Sequence, residues 1–385
     1  MSTAEHFALY VHVPYCRRVC PYCDFNVQAA REVPERDYAA ALLAELEAHA
    51  AAGDFAGRAA QTVYVGGGTP SLFSPAAIGA LLEAVARRFG LVAGAEITLE
   101  ANPGTVDVAR LSGYRAAGVN RLSLGAQSFA AGQLRTLGRD HAPADTLAAV
   151  EAARAAGLEN VSLDLIFGVP GETLAEWEQD LRAAIGLAPA HVSAYALTYE
   201  EGTPFHAWRA ARRLVPVAED DEAAMAETAV AVLGAAGYRR YEISSFAQPG
   251  REARHNLAYW DGSDYLGVGA GAHSFSREPA PGRRWMNERV PARYMSAAAG
   301  RRPPIASDER ITEAQARAEF CFCGLRQTAG VDLDVFRRRF GVPLEEAFPH
   351  VAGLAADGLA ELAAGRLRLT PRGLRYADSV AATFV

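Results

Sequence analysis

The chain has 385 residues, half of them hydrophobic and 22% charged, with a formal net charge of −7, so it can form two or three domains with a large core and is too apolar for disorder. The acidic balance leaves no footprint for general binding to nucleic acid or anionic lipid. All 38 basic residues are arginine, which excludes Schiff-base lysine enzymes, P-loop nucleotidases and protein kinases.

The chain opens MSTAEHFALYVHVPYC, with no basic stretch ahead of an apolar one, so no signal peptide is expected. No run of about 18 apolar residues predicts a membrane helix, and a cytoplasmic protein is expected. Strands are predicted at 9–14, 62–67, 96–101, 121–126, 161–166, 191–197 and 238–244, from β-branched and aromatic runs. Ala/Leu-rich or amphipathic segments near 36–52, 75–89, 107–117, 143–156, 174–187 and 219–236 predict helices between them. This alternation predicts an α/β fold with a parallel sheet, and six or more units suit a full or partial (β/α) barrel over residues 1–245. Residues 246–306 begin with Gly- and aromatic-rich sequence that reads as loops around a site. The Pro- and Arg-rich sequence that follows reads as a linker. Residues 307–385 predict helices followed by a β-hairpin, a small winged-helix-like module. Arg alternates with Asp and Glu throughout that module, which argues against a nucleic-acid-binding role.

Polar residues fall at the ends of the predicted strands. Gly66, Gly67 and Gly68 follow the second, Glu100 ends the third, Gln127 follows the fourth and Asp164 lies late in the fifth. In a parallel barrel these ends converge on one rim, where active sites lie. Cys16, Cys20 and Cys23 follow the first strand with C-x3-C-x2-C spacing. Three thiolates can hold three irons of a 4Fe–4S cubane, leaving the fourth open to a chelating small molecule. Zinc would need a fourth ligand such as His12 or Asp24; free thiols are the remaining reading. Cys321 and Cys323, two apart on a predicted helix, point to different faces and read as small apolar residues.

The cysteine motif is preceded by YVHVP and followed by GGGTPS at 66–71, LEANPGT at 99–105, RLSLGAQSF at 121–129, LGRDH at 137–141 and LDLIFGVPGET at 163–173. Together these resemble the radical S-adenosylmethionine (SAM) superfamily, in the branch containing oxygen-independent coproporphyrinogen III oxidase and the HemW heme chaperones. The resemblance covers essentially the whole chain. It implies a 4Fe–4S cluster on Cys16, Cys20 and Cys23, with SAM on the open iron. It also implies SAM contacts from Gly67, Gly68 and Thr69, a ribose contact from Glu100, and further cofactor positions at Gln127, Arg139 and Asp164. Tyr10 and Ala196 match positions that wall the site.

Three features separate the two branches. The resemblance gives the oxidase a fourth cysteine two positions after the third, where this chain has Phe25. It also gives the oxidase a long N-terminal arm, whereas 15 residues precede Cys16 here. The sequence HNLAYW at 255–260 matches an HNxxYW motif of the chaperone branch. Physically, His255 offers an imidazole to heme iron, with Asn256 beside it, and Tyr259 and Trp260 offer flat apolar surface. Arg251, Arg254, Arg283 and Arg284 are candidates to pair with heme propionates. His273 is a second candidate ligand, while His12, His141 and His191 read as structural. The resemblance therefore implies a cytoplasmic heme chaperone, at most peripheral at the membrane. Respiratory cytochromes or a bacterioferritin are the implied acceptors, and the chain is expected as a monomer or dimer. The alternative is a radical-SAM oxidase that decarboxylates coproporphyrinogen III to protoporphyrinogen IX.

Overall fold

The computed structural model describes residues 6–385; residues 1–5, the start of the segment read as lacking a signal peptide, lie outside the described residues. Six strands form the parallel heart of the fold: β1 (His6–Val13), β2 (Ala59–Gly67), β3 (Leu91–Ala101), β4 (Arg121–Gln127), β5 (Val161–Phe167) and β6 (His191–Ala196). Each pairs with the next in parallel register, as in Leu9 opposite Val63 and Asp164 opposite Ser193. Phe7, Leu9, Val11 and Val13 on one face of β1 and Ala8 and His12 on the other are buried, as expected for a strand covered on both faces.

Helices return the chain between these strands at Glu35–Ala52, Pro75–Arg88, Val108–Ala116, Pro143–Ala155 and Leu174–Gly186, within one or two residues of the expected segments. Local chemistry sets their starts. Ser74 and Asp107 accept the N–H groups of Ala77 and Arg110, and Thr173 forms a capping box with Glu176.

The sheet is wider than the sequence suggested. Tyr265–Val268 pairs in parallel with the other side of β1, and His273–Ser276, Arg283–Asn287 and Ile305–Arg310 extend it antiparallel. Among the described residues, the region expected as loops and linker thus supplies three of the sheet's 12 strands and the start of a fourth, Ile305–Arg310, which runs into the segment expected as the C-terminal module. Of the predicted strand at 238–244 only Arg239–Arg240 is strand, and a second, Ser245–Ala247, lies just beyond it. Between them the Arg240 side chain donates to the carbonyls of Glu242 and Ile243, which turns the chain. Among the described residues no pairing joins the two edges, so the sheet is open.

The C-terminal module has its own core, with Cys321, Leu325, Phe336, Leu344, Val351 and Leu367 buried together. Its Ala360–Ala363 and Arg366–Leu369 strands form the expected hairpin, with Val331–Asp332 added beside the second. It meets the sheet domain through a Glu242–Gln327 bridge, a Gln327–Asp261 hydrogen bond of 2.7 Å, and Arg326 stacked 4.5 Å over Trp260. Among the described residues no helix is long and apolar enough to cross a membrane.

Candidate functional site

A cavity of about 420 Å³ opens at the C-terminal ends of the parallel strands. Cys16, Cys20 and Cys23 line it, together with Gly67, Gly68, Thr69, Glu100, Gln127, Arg139, Asp164, Ala196 and Asn256. The topology explains the convergence, since side chains at the ends of neighbouring parallel strands must share one rim.

The cysteine loop leaves β1 and is pinned by backbone. Gly68 N–H donates to the Val13 carbonyl and Thr69 N–H to that of Tyr15, both at 2.8 Å. A Cβ on Gly68 would lie 2.7 Å from the Tyr15 carbonyl oxygen and 3.0 Å from the Cys16 sulfur, so glycine alone lets this loop pass beneath the cysteine. Gly67 has φ +111°, and a Cβ there would strike the His12 ring at 2.5 Å. Burial pushes the Cys16 thiol up and that of Cys23 to about 11, so iron ligation must displace their protons. The zinc alternative finds no help from His12. Its Nδ1 bonds the Tyr10 hydroxyl and its Nε2 the Asn26 carbonyl, both at 2.9 Å.

Behind the cysteines lies a ring of polar groups. Glu100 accepts from the Tyr64 hydroxyl at 2.7 Å and the Gly67 N–H at 3.0 Å. Burial pushes its carboxyl up to about 7, against the pull of those hydrogen bonds. Asp164 is likewise pushed up by burial. Hydrogen bonds from Ser123, Ser193 and Ser162 and the charge of Arg121 restrain it, so the acid is partnered as the apolar strand requires. Arg139 donates to the Gly125 carbonyl at 2.9 Å and approaches the Cys20 sulfur at 3.6 Å, and its Nε is buried without a partner. Gln127 sits at φ +65°, folded back so that its amide would meet a Cβ on Gly125 at 3.0 Å. Tyr10 does not line the cavity; its ring lies 6.1 Å from that of Tyr64.

These residues fit the groups the motifs call for. Thiols stand at the mouth, and a guanidinium with a free donor suits a carboxylate. A deep carboxylate suits a diol, and a glycine cradle admits close approach.

The sequence profile of the Radical SAM superfamily matches residues 10–184, and that of the HemN C-terminal domain matches 311–376. Over 269 residues the chain is 46% identical to the heme chaperone HemW of Escherichia coli, covering 69% of each. It is 39% identical to HemW of Mycobacterium tuberculosis over 387 residues, 99% of this chain and 95% of the relative. The chain belongs to the HemW family of the radical SAM superfamily. Its fold matches coproporphyrinogen III oxidase HemN of Escherichia coli with a TM-score of 0.85 at 24% identity, covering 100% of this chain and 91% of that one.

The HNxxYW motif lies away from the cavity mouth. HNLAYW forms the helix Arg254–Trp260, not a loop, and only Asn256 of its four motif residues lines the cavity. His255 is 1% exposed. Its Nδ1 bonds Thr62 at 2.8 Å and its Nε2 the Tyr259 hydroxyl at 2.9 Å. Both ring nitrogens are thus engaged and the ring is enclosed. Tyr259 packs edge-on against Tyr265, and Trp260 is covered by Arg326, so neither presents a flat open face. Among the arginines expected to pair with propionates, Arg254 already donates to the Gly94 carbonyl. Arg283 pairs with Asp308, and Arg284 with Glu309 and Glu319. His273 is exposed. Phe25 is 64% exposed at the cavity mouth.

Sequence reading missed Tyr64, Arg121, Ser123, His191, Ser193 and Tyr195, all on the cavity wall. Their signal is a period of two. Thr62 and Tyr64, Thr98 and Glu100, Arg121 and Ser123, Ser162 and Asp164, and His191 and Ser193 each alternate with apolar residues on one strand. Five neighbouring strands carrying polar residues in the same phase mark the inner face of the sheet.

Proposed function

We propose that this protein is a heme chaperone that carries one 4Fe–4S cluster on Cys16, Cys20 and Cys23, binds SAM, and delivers heme to an acceptor protein. The observation that carries the cofactor half is the single cavity shared by the three cysteines, the Gly67–Gly68 loop, Glu100 and Arg139. When bound, the cluster supplies an open iron for the amino and carboxylate groups of SAM. The chain's own residues then do the positioning. Arg139 takes the carboxylate, Glu100 accepts from the ribose hydroxyls, and the backbone of Gly67, Gly68 and Thr69 receives the amino N–H groups. Gln127, Asp164 and Ala196 shape the remaining wall, and Tyr10 backs it from behind.

The heme half is supported by HemW-named relatives along nearly the whole chain, and by Phe25 in place of a fourth cysteine. Heme acceptors at or near the membrane, such as respiratory cytochromes or a bacterioferritin, fit this role, with the chaperone itself in the cytoplasm.

Anaerobic reconstitution followed by hemin titration tests the reading. Saturable one-to-one binding by the Soret band is expected, with cluster iron lost in Cys20→Ser. Non-saturating hemin binding together with turnover of coproporphyrinogen III would reverse it in favour of the oxidase.

A further inference from the structure

We propose that His255 is a positioning residue for the cofactor cavity and not a heme ligand: its ring holds Tyr64, and Tyr64 fixes Glu100. The inference rests on the reading of Glu100 as part of the SAM pocket.

The chain of contacts is continuous. The Tyr64 hydroxyl donates to Glu100 at 2.7 Å. The Tyr64 ring stacks on the His255 imidazole with centroids 5.0 Å apart and planes 28° apart. A stacked neighbour at that distance limits how the phenol can tilt. His255 is itself held on three sides. Thr62 and Tyr259 take its two nitrogens, and its backbone N–H donates to Glu96 at 3.0 Å. Glu96 also accepts the Arg254 N–H at 3.1 Å, so one buried carboxylate anchors the start of this helix to β3. Burial pushes the imidazole down to about 3, which keeps it neutral and leaves one ring nitrogen as donor and the other as acceptor. The fully satisfied ring has no lone pair left for iron unless the Thr62 or Tyr259 contact is broken. The motif therefore acts from behind the cavity, as an outer support for a binding carboxylate.

The test uses Tyr64→Phe, His255→Gln, His255→Phe and the double variant Tyr64→Phe/His255→Gln, each reconstituted in the full chain. SAM affinity is read by equilibrium dialysis, hemin by the Soret band, and iron by chemical assay. Tyr64→Phe removes one oxygen and is expected to weaken SAM about tenfold, the size of one hydrogen bond to a charged group. His255→Gln keeps hydrogen bonds toward Thr62 and Tyr259 but cannot stack, and is expected to weaken SAM several-fold. His255→Phe restores a ring and recovers most of that loss. Because both single changes act through Glu100, the double variant is expected to be no weaker than Tyr64→Phe alone. Hemin affinity and iron content stay at wild-type values throughout.

Unchanged SAM affinity in His255→Gln, additive losses in the double variant, or a hemin Soret band lost in His255→Gln would each overturn the positioning role. A wild-type protein that loads iron yet binds no SAM would overturn the cavity reading, and this inference with it.

Discussion

The guanidinium of Arg139 lies 3.6 Å from the sulfur of Cys20 while donating to the Gly125 carbonyl at 2.9 Å. One side chain thus ties the cysteine loop after β1 to the end of β4, with its Nε buried and unpartnered. Arg139→Ala is expected to weaken SAM binding by tenfold or more, since a forked donor to a carboxylate contributes about 2 kcal/mol. Iron content should remain near that of the wild type. Parallel iron assays and SAM dialysis check both halves; full SAM affinity would remove Arg139 from the pocket.

Glu100 must be ionised to accept hydrogen bonds from both ribose hydroxyls. Its carboxyl is raised to about 7, chiefly by burial, so below that pH it is increasingly protonated. SAM affinity is expected to fall as pH drops from 8 to 6 and to level off above about 8. Glu100→Gln should be weak at every pH and flat across the same range. Dialysis at half-unit pH steps reads the profile.

Gly68→Ala places a methyl group against two carbonyl oxygens and the Cys16 sulfur. Backbone cannot yield as a flexible side chain can, so the loop must shift, at a cost of about 1–3 kcal/mol. Lower thermal stability and loss of cluster loading are expected together. Wild-type iron content in this variant would show that the loop has slack.

His49 is fully buried and would be neutral on burial alone, but Asp54 at 2.8 Å and Glu45 at 3.6 Å raise it to about 9. A raised histidine stabilises the fold fully below its unfolded value near 6.5, and that contribution is lost as pH rises through about 9. Urea midpoints are therefore expected to fall between pH 7 and 9.5. His49→Gln should flatten that slope and cost about 3 kcal/mol at pH 7, because it breaks a buried ion pair.

Much of the cavity lining was legible because its residues sit where local sequence and topology agree. The cysteine spacing is contiguous, and strand ends in a parallel sheet must meet. Glu100, Asp164 and the glycine loop were found this way. The orientation of His255 was not legible. Seven residues of helix carry too few turns for a periodicity, and its partners Thr62 and Glu96 lie more than 150 residues upstream. The strands after residue 264 were hidden for another reason. They are short, and pairing with β1 and with each other fixes them, not their own propensity. Tyr64 and Ser193 looked like ordinary strand residues until the shared phase of five strands gave them an inner face.

The position of β1 sets an order of assembly. Its neighbours are β2 and Tyr265–Val268, with Leu9 opposite Leu266. During synthesis the three cysteines emerge long before Tyr265–Val268, so the strand that carries their loop gains its second neighbour only after residue 268 is made. Closing so long a loop is slow relative to local pairing. A ribosome-bound fragment ending before that strand therefore leaves β1, from which the cysteine loop departs, at an exposed sheet edge.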